Sequence, residues 1–407
     1  MFKSLITASA VLVMAAPAFA SKARMASLQN AASVTDTQSI FDNPAKSYLL
    51  GDFATLEMGA TSATVDRTGA NTPENVITNG STTGITLYSP DAEGGFVKSY
   101  GDSKIGFYMG RRSPFTTRMR SLMGYAGQIN PIEVMYGFQA MDLKWGAALS
   151  YSKAEPKTAG GQQKEDAMGV RIGAIGSNWD AGLTLGLGSN ATGTAGNNIG
   201  IATVGANADS TYKGTTGFKV TGGYWFNTMY VYGTYYQDGA KLEGLALTSP
   251  VATTAAVTIE QSQYEVGVID TMKADGMNFF YGVSYIGFKS KAKDITPGAL
   301  DTTIQNAFTQ EQTQLPFILG VEADAASWLT LRASAKQNVI LGSTKVNAGE
   351  TSSNIANNTT VAVGAGMKFN KFTLDSTLAA GSVPASVGTG AINANNLMAN
   401  ASLTYMF

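Results

Sequence analysis

The chain contains no cysteine and no histidine. That excludes a disulfide framework, thiol nucleophiles, imidazole bases and the usual zinc-ligand sets. Charge is scarce too: Asp, Glu, Lys and Arg make up 14% of the 407 residues, against about 25% in typical soluble domains. A formal net charge of −1 gives nucleic acid nothing to hold, so no nucleic-acid partner is expected. Beyond the first twenty residues no run of about 18 uncharged apolar residues occurs, which excludes a transmembrane helix. A carboxylate pair could still act as acid and base, but no spacing among the 29 acidic residues brings two together persuasively. Gly364-Ala365-Gly366 has no helix pattern after it and is no nucleotide loop. No enzyme, catalytic residue, metal site or cofactor is expected.

What is present begins with a leader pattern. Lys3 precedes an apolar stretch from Leu5 to Ala15, and Ala18-Phe19-Ala20 supplies a small-x-small cleavage site. Residues 1–20 are therefore expected to be a signal peptide cut after Ala20, because the run is too short to span a bilayer as a helix. The remainder carries most of 46 Gly, 17 Tyr and 18 Phe.

Segments of roughly ten residues then recur in which apolar side chains alternate with polar or small ones. In 142–152, Leu143, Trp145, Ala147, Leu149 and Tyr151 share a face. In 371–379, Phe372, Leu374 and Leu378 oppose Lys371, Thr373, Asp375 and Thr377. Such striping suits strands with lipid on one side and a lumen on the other. Sixteen strands are predicted: 53–60, 94–101, 103–110, 130–139, 142–152, 164–175, 178–187, 214–224, 227–236, 258–270, 276–288, 312–322, 326–337, 359–369, 371–379 and 395–407. Tight links alternate with long ones rich in Thr, Ser, Asn and Gly, as short periplasmic turns and long external loops would. The expected fold is an all-β, antiparallel, up-and-down transmembrane barrel over 53–407. Fourteen or eighteen strands remain open, since 94–101 has a confused face and Ile85–Tyr88 could be one more.

The last strand sets Leu403, Tyr405 and Phe407 on one face and stops there. It resembles the C-terminal signature of Gram-negative outer-membrane barrels, which implies recognition by the barrel-assembly machinery and residence in the outer membrane, among its lipid and lipopolysaccharide. A second resemblance lies in 21–52, where Asp36, Ile40-Phe41 and Asn43-Pro44-Ala45 come shortly before the first strand. This stretch is similar to the opening of FadL-like and PorV-like outer-membrane proteins, in which it folds into the barrel as a hatch. The barrel body carries no signature of that family, whose members usually have fourteen strands. Residues 21–52 are thus either a lumenal hatch or a periplasmic lead-in against the rim.

Charges away from the interface are expected to face the lumen, because Arg or Lys on the lipid face costs about 2–4 kcal/mol at the midplane. The predicted register points Lys104, Lys144, Arg171, Lys219, Arg332, Lys336 and Lys368 inward, with Glu57, Glu133, Asp142, Asp180, Glu265, Glu322 and Asp375. These suit an aqueous pore whose charges tune selectivity, or a barrel filled by its own ion pairs. After the third strand, Arg111, Arg112, Arg118 and Arg120 concentrate half of the chain's eight arginines. They would form a cationic constriction if the loop folds inward, clamp lipopolysaccharide phosphates if it stays outside, or decorate an ordinary solvated loop. The leading expectation is passive diffusion of small hydrophilic solutes through a porin-like channel. The alternatives are FadL-like transport of hydrophobic molecules and a structural or surface barrel. A homo-oligomer is possible by analogy with porins.

Overall fold

Alternation along each segment forces the chain into pleated strands, and lipid forces every backbone amide in them to find a partner. The computed structural model describes residues 21–59, 64–65, 85–86, 91–113, 120, 125, 127–155, 157–158, 161–162, 164–194, 209–246, 254–293, 308–346, 349–381 and 393–407. The expected leader (1–20) and Arg118 lie outside the described residues.

Sixteen strands form the wall: β1 (Phe53–Gly59), β2 (Asp91–Tyr100), β3 (Ser103–Met109), β4 (Ile132–Ala140), β5 (Leu143–Ala154), β6 (Lys164–Ile175) and β7 (Trp179–Thr194) come first. β8 is in two pieces, Asp209–Gly214 and Gly217–Phe226, which both pair with β7 and with β9 (Met229–Ala246). Then come β10 (Thr254–Ala274), β11 (Met277–Lys293), β12 (Phe308–Ala326), β13 (Leu329–Val346), β14 (Gly349–Phe369), β15 (Phe372–Gly381) and β16 (Asn393–Met406). Each pairs antiparallel with its sequence neighbours. Phe53↔Met406 and Phe53↔Val97 place β1 between β16 and β2, so the sheet closes and has no free edge.

The outer face is apolar. On β4, Ile132, Val134, Tyr136 and Phe138 are exposed, while Glu133 and Met135 are buried. On β15, Phe372, Leu374 and Leu378 are exposed, while Thr373, Asp375 and Thr377 are buried. Near the short turns aromatic rings gather: Phe138 stacks on Trp145 at 6.4 Å, and Tyr405 lies 4.8 Å from Phe372 and 5.4 Å from Phe407. An apolar belt edged by aromatic rings is the surface that a membrane barrel presents to lipid. Among the described residues no helix is long and apolar enough to cross a membrane.

The short turns use left-handed backbone at Gly101, Met141, Asp142, Asn227, Gly276 and Asn370, matching the twist of the flanking strands. Asp142, expected on the lumenal face, is in fact an exposed turn residue with φ of 59°. Ile85–Thr86 is no wall strand; it pairs with Thr64–Val65 outside the barrel sheet.

Strand heights differ from expectation. β9 to β14 run for 17 to 21 residues, whereas β1 and β3 have 7. Crossing the hydrocarbon takes about 9–11 tilted residues, so the tall strands project well beyond it. Much of the sequence expected as loops at 237–257, 289–311 and 338–358 is therefore strand. Above the lipid both faces of the wall meet water, and the apolar stripe that marks a strand disappears.

Candidate functional site

The cylinder is not empty. Residues 21–52 lie inside it, built from three short capped turns. The Ser21 hydroxyl accepts from the Arg24 amide and caps α1 (Lys22–Ser27). The Asp36 carboxylate accepts from the Gln38 and Ser39 amides and caps a 3-10 turn, Thr37–Phe41. Asn43 caps a second, Pro44–Leu49, with Pro44 at its first position. Each cap satisfies amides that the interior could not otherwise solvate.

Two apolar clusters seat this inner segment. Ile40, Phe41 and Leu50 pack with Phe53, Val97, Tyr108 and Met135, and the Phe41 ring meets the Tyr108 ring edge-on at 4.9 Å. On the opposite wall Leu28 and Ala31 pack with Ile269 and Phe280, flanked by Tyr232 and Ile318. Ile40, Ala45 and Phe53 have no exposed surface.

The wall is shaped to receive one part of it. Gly137, Gly146, Gly173 and Gly182 are cross-strand neighbours on β4, β5, β6 and β7. A methyl on Gly146 would stand 2.4 Å from the Ala45 amide nitrogen. One on Gly173 would stand 1.9 Å from the Asn43 side-chain oxygen. Four missing side chains thus make a flat strip for the 42–48 turn. There the Asn43 amide donates to the Ala174 and Ala181 carbonyls at 3.2 and 3.1 Å.

Charge holds the rest. Arg24 makes a two-pronged contact with Glu322, and Arg332 joins that same carboxylate to Asp375 at 2.6 Å on each side. Ser21 donates to Asp375, the Lys22 amide donates to Glu57, and the Lys22 ammonium pairs with Glu93. Lys46 meets Asp180 at 3.1 Å, and Lys219 meets Asp42 at 2.7 Å. Lys104 binds Asp52 at 3.0 Å and the Leu50 carbonyl at 3.1 Å. Asp36 is 1% exposed, and its Oδ2 has no hydrogen-bond partner. Burial pushes its carboxyl up to about 7, against the pull of Arg24 and the two capping amides.

Two arginines of the arginine-rich stretch, Arg111 and Arg120, also turn inward. Arg111 pairs with Glu93 at 2.9 Å, donates to Gln38 and lies 3.9 Å over the Phe41 ring. Arg171, paired with Glu133, approaches the same ring. Arg120 is wholly buried, bound to Glu165 at 2.9 Å, to Ser189 and to the Asn190 carbonyl. A guanidinium with no exposed surface is closed to lipopolysaccharide phosphates. Arg112 donates to the Gln128 carbonyl.

Of the other residues expected in the lumen, Glu265 accepts from Tyr232. Lys336 follows Arg332 and Ser334 on the inward face of β13, half-buried. Lys144 and Lys368 are half-buried at inward positions beside the short turns. Sequence reasoning missed Glu93, just outside the predicted second strand, and Glu165, whose partner sits in a loop. It also missed the glycine strip; its signal is one inward glycine at matching height on each of four consecutive strands. Among the described residues no group of His, Cys, Asp and Glu is placed to hold a metal ion.

No family model matches the chain, and no curated protein matches it. Similar solved structures include a FadL homologue of Pseudomonas aeruginosa, at 12% identity and TM-score 0.42, covering 92% of this chain and 94% of that one. A bacterial polysaccharide outer-membrane secretin has 10% identity and TM-score 0.42, covering 88% and 98%. A porin has 12% identity and TM-score 0.37, covering 88% and 99%. The functional reading therefore rests on the lumen itself.

Proposed function

We propose that this chain is an outer-membrane channel closed at rest by residues 21–52, and that small hydrophilic solutes pass when that segment shifts. One observation carries the reading: the inner segment is held by ion pairs to the wall, with Glu57, Glu93, Glu322, Arg332 and Asp375 beneath it. A wall of charge exposed by displacement is wetted by water and carries ions. Arg111 and Arg171 then flank the path as its cationic side.

Planar-bilayer recording tests this. The intact protein should give rare openings, and the chain lacking 21–52 long-lived ones. Silence from both would remove the proposal.

A second reading follows from the Leu28, Ala31, Ile269 and Phe280 cluster. Withdrawal of 28–31 would leave an apolar groove on β10 and β11, able to take a hydrophobic molecule. An acyl chain carried through purification and found by mass spectrometry, and lost in Phe280→Asp, would favour it. Both readings place the protein in the outer membrane after removal of 1–20, with β16 and the Phe407 that follows it as its handle for assembly. No catalytic step is assigned.

A further inference from the structure

The first described residue is also one of the most deeply placed. Ser21 has no exposed surface, and its hydroxyl lies 3.4 Å from the Asp375 carboxylate. Around it stands a connected set of buried charges. Asp375, Arg332, Glu322 and Arg24 form one chain of contacts, and Glu57, Lys22, Glu93 and Arg111 form the next. Asp36 adjoins the set: Arg24 donates to the carbonyl of Thr35, the residue before it, at 3.4 Å. Among the described residues the set holds five carboxylates, Asp36, Glu57, Glu93, Glu322 and Asp375, but four cations, Lys22, Arg24, Arg111 and Arg332. The deficit has a location: Asp36 Oδ2, buried and without a partner. An uncompensated carboxylate in such a place is costly.

We propose that the α-amino group of Ser21, freed when residues 1–20 are removed, is the missing fifth cation, held by Asp375 and Asp36. The step is a hydrolysis. Water adds across the Ala20–Ser21 peptide bond: the Ala20 carbonyl carbon takes the hydroxyl, the Ser21 nitrogen takes one proton, and the new carboxylic acid gives up its own proton to make that amine an ammonium and itself a carboxylate. An amide at that position supplies no charge. Processing therefore does more than release the chain: it creates the group that neutralises the interior and seats the inner segment. An ammonium ahead of α1 opposes the helix dipole, and the two carboxylates offset that. The inference rests on the closed-channel reading of 21–52.

The test labels the amine. Processed protein in detergent is treated near neutral pH with an acylating reagent, and the peptide beginning at Ser21 is quantified by mass spectrometry, folded and in urea. The folded protein should label at least ten-fold more slowly. Asp36→Asn keeps an oxygen for the Gln38 and Ser39 amides, and should raise the folded rate several-fold, as should Asp375→Asn. A chain acetylated at Ser21 before refolding should lose protease resistance in 21–52 while keeping the heat-dependent gel shift of a barrel. Equal labelling in the folded and unfolded states, with 21–52 still resistant to protease, overturns the inference alone. Digestion of 21–52 in the free-amine protein overturns it together with the closed-channel reading.

Discussion

Arg24 on the inner segment grips Glu322 on the wall with two bonds, Nε at 2.7 Å and Nη2 at 2.9 Å, across 298 positions of chain. Both side chains are about nine-tenths buried. Removing one partner of a buried pair costs about 3–5 kcal/mol, because the other charge is left alone. Glu322→Gln should therefore loosen the inner segment and leave the barrel intact. Limited proteolysis should cut 21–52 faster than in the parent, and the gel shift on heating should persist.

The glycine strip gives a steric prediction. A methyl at Gly173 would overlap the Asn43 side chain, and overpacking of this kind costs about 1–3 kcal/mol. Gly173→Ala should displace the 42–48 turn, and chymotrypsin should gain access to Phe41 and Tyr48. Gly222→Ala, where a methyl meets nothing nearer than 3.5 Å, should leave digestion unchanged.

Arg120 and Glu165 are both fully buried as side chains. Glu165 also accepts from the Ser152 hydroxyl at 3.1 Å and the Ile129 amide at 3.0 Å. Arg120→Met keeps an unbranched apolar stem and leaves that carboxylate without its cation. Protease cleavage within 111–129 should accelerate, with little change at 21–52.

Lipid contact makes its own forecast. Val363 on β14 is half exposed on the outer face, between Ala362 and Gly364 on the inner one. Val363→Arg should cost about 2–4 kcal/mol near the midplane, read as a lower denaturant midpoint for folding into vesicles. Val363→Leu should not.

The pH dependence of docking follows from Asp36. Burial holds the Asp36 carboxyl up at about 7, against 3.8 for a free aspartate, and acetylating Ser21 leaves no ammonium there to pull it down. The folded state then binds the proton more tightly than the unfolded chain. The stability this group contributes is complete below pH 3.8 and is lost as pH rises through about 7. Protease resistance of 21–52 in acetylated protein should fall over that window, and Asp36→Asn should flatten the profile.

Much of the wall was legible because lipid repeats one demand at every second residue. Leu374 and Leu378 had to face out once Asp375 faced in. The upper parts of β9 to β14 were not, since Gln337 and Asn338 above the membrane answer to water on both sides. The inward carboxylates followed from register, but their partners did not. Arg24 and Arg120 lie outside the strands, where no periodicity says which way a side chain turns. The flat strip escaped notice because glycine normally reads as a weak strand residue, whereas here its lack of a side chain is what the packing needs.

Closure of the sheet runs through the strand that directly follows the buried segment. Phe53 pairs with Met406 only three residues after Leu50, which is itself buried in the lumen. The N-terminal tether is therefore fastened beside the seam that joins the first strand to the last. It must be gathered inside before that seam forms, or threaded back through the short-turn mouth afterwards. Order of assembly, and not affinity alone, decides whether the interior is filled.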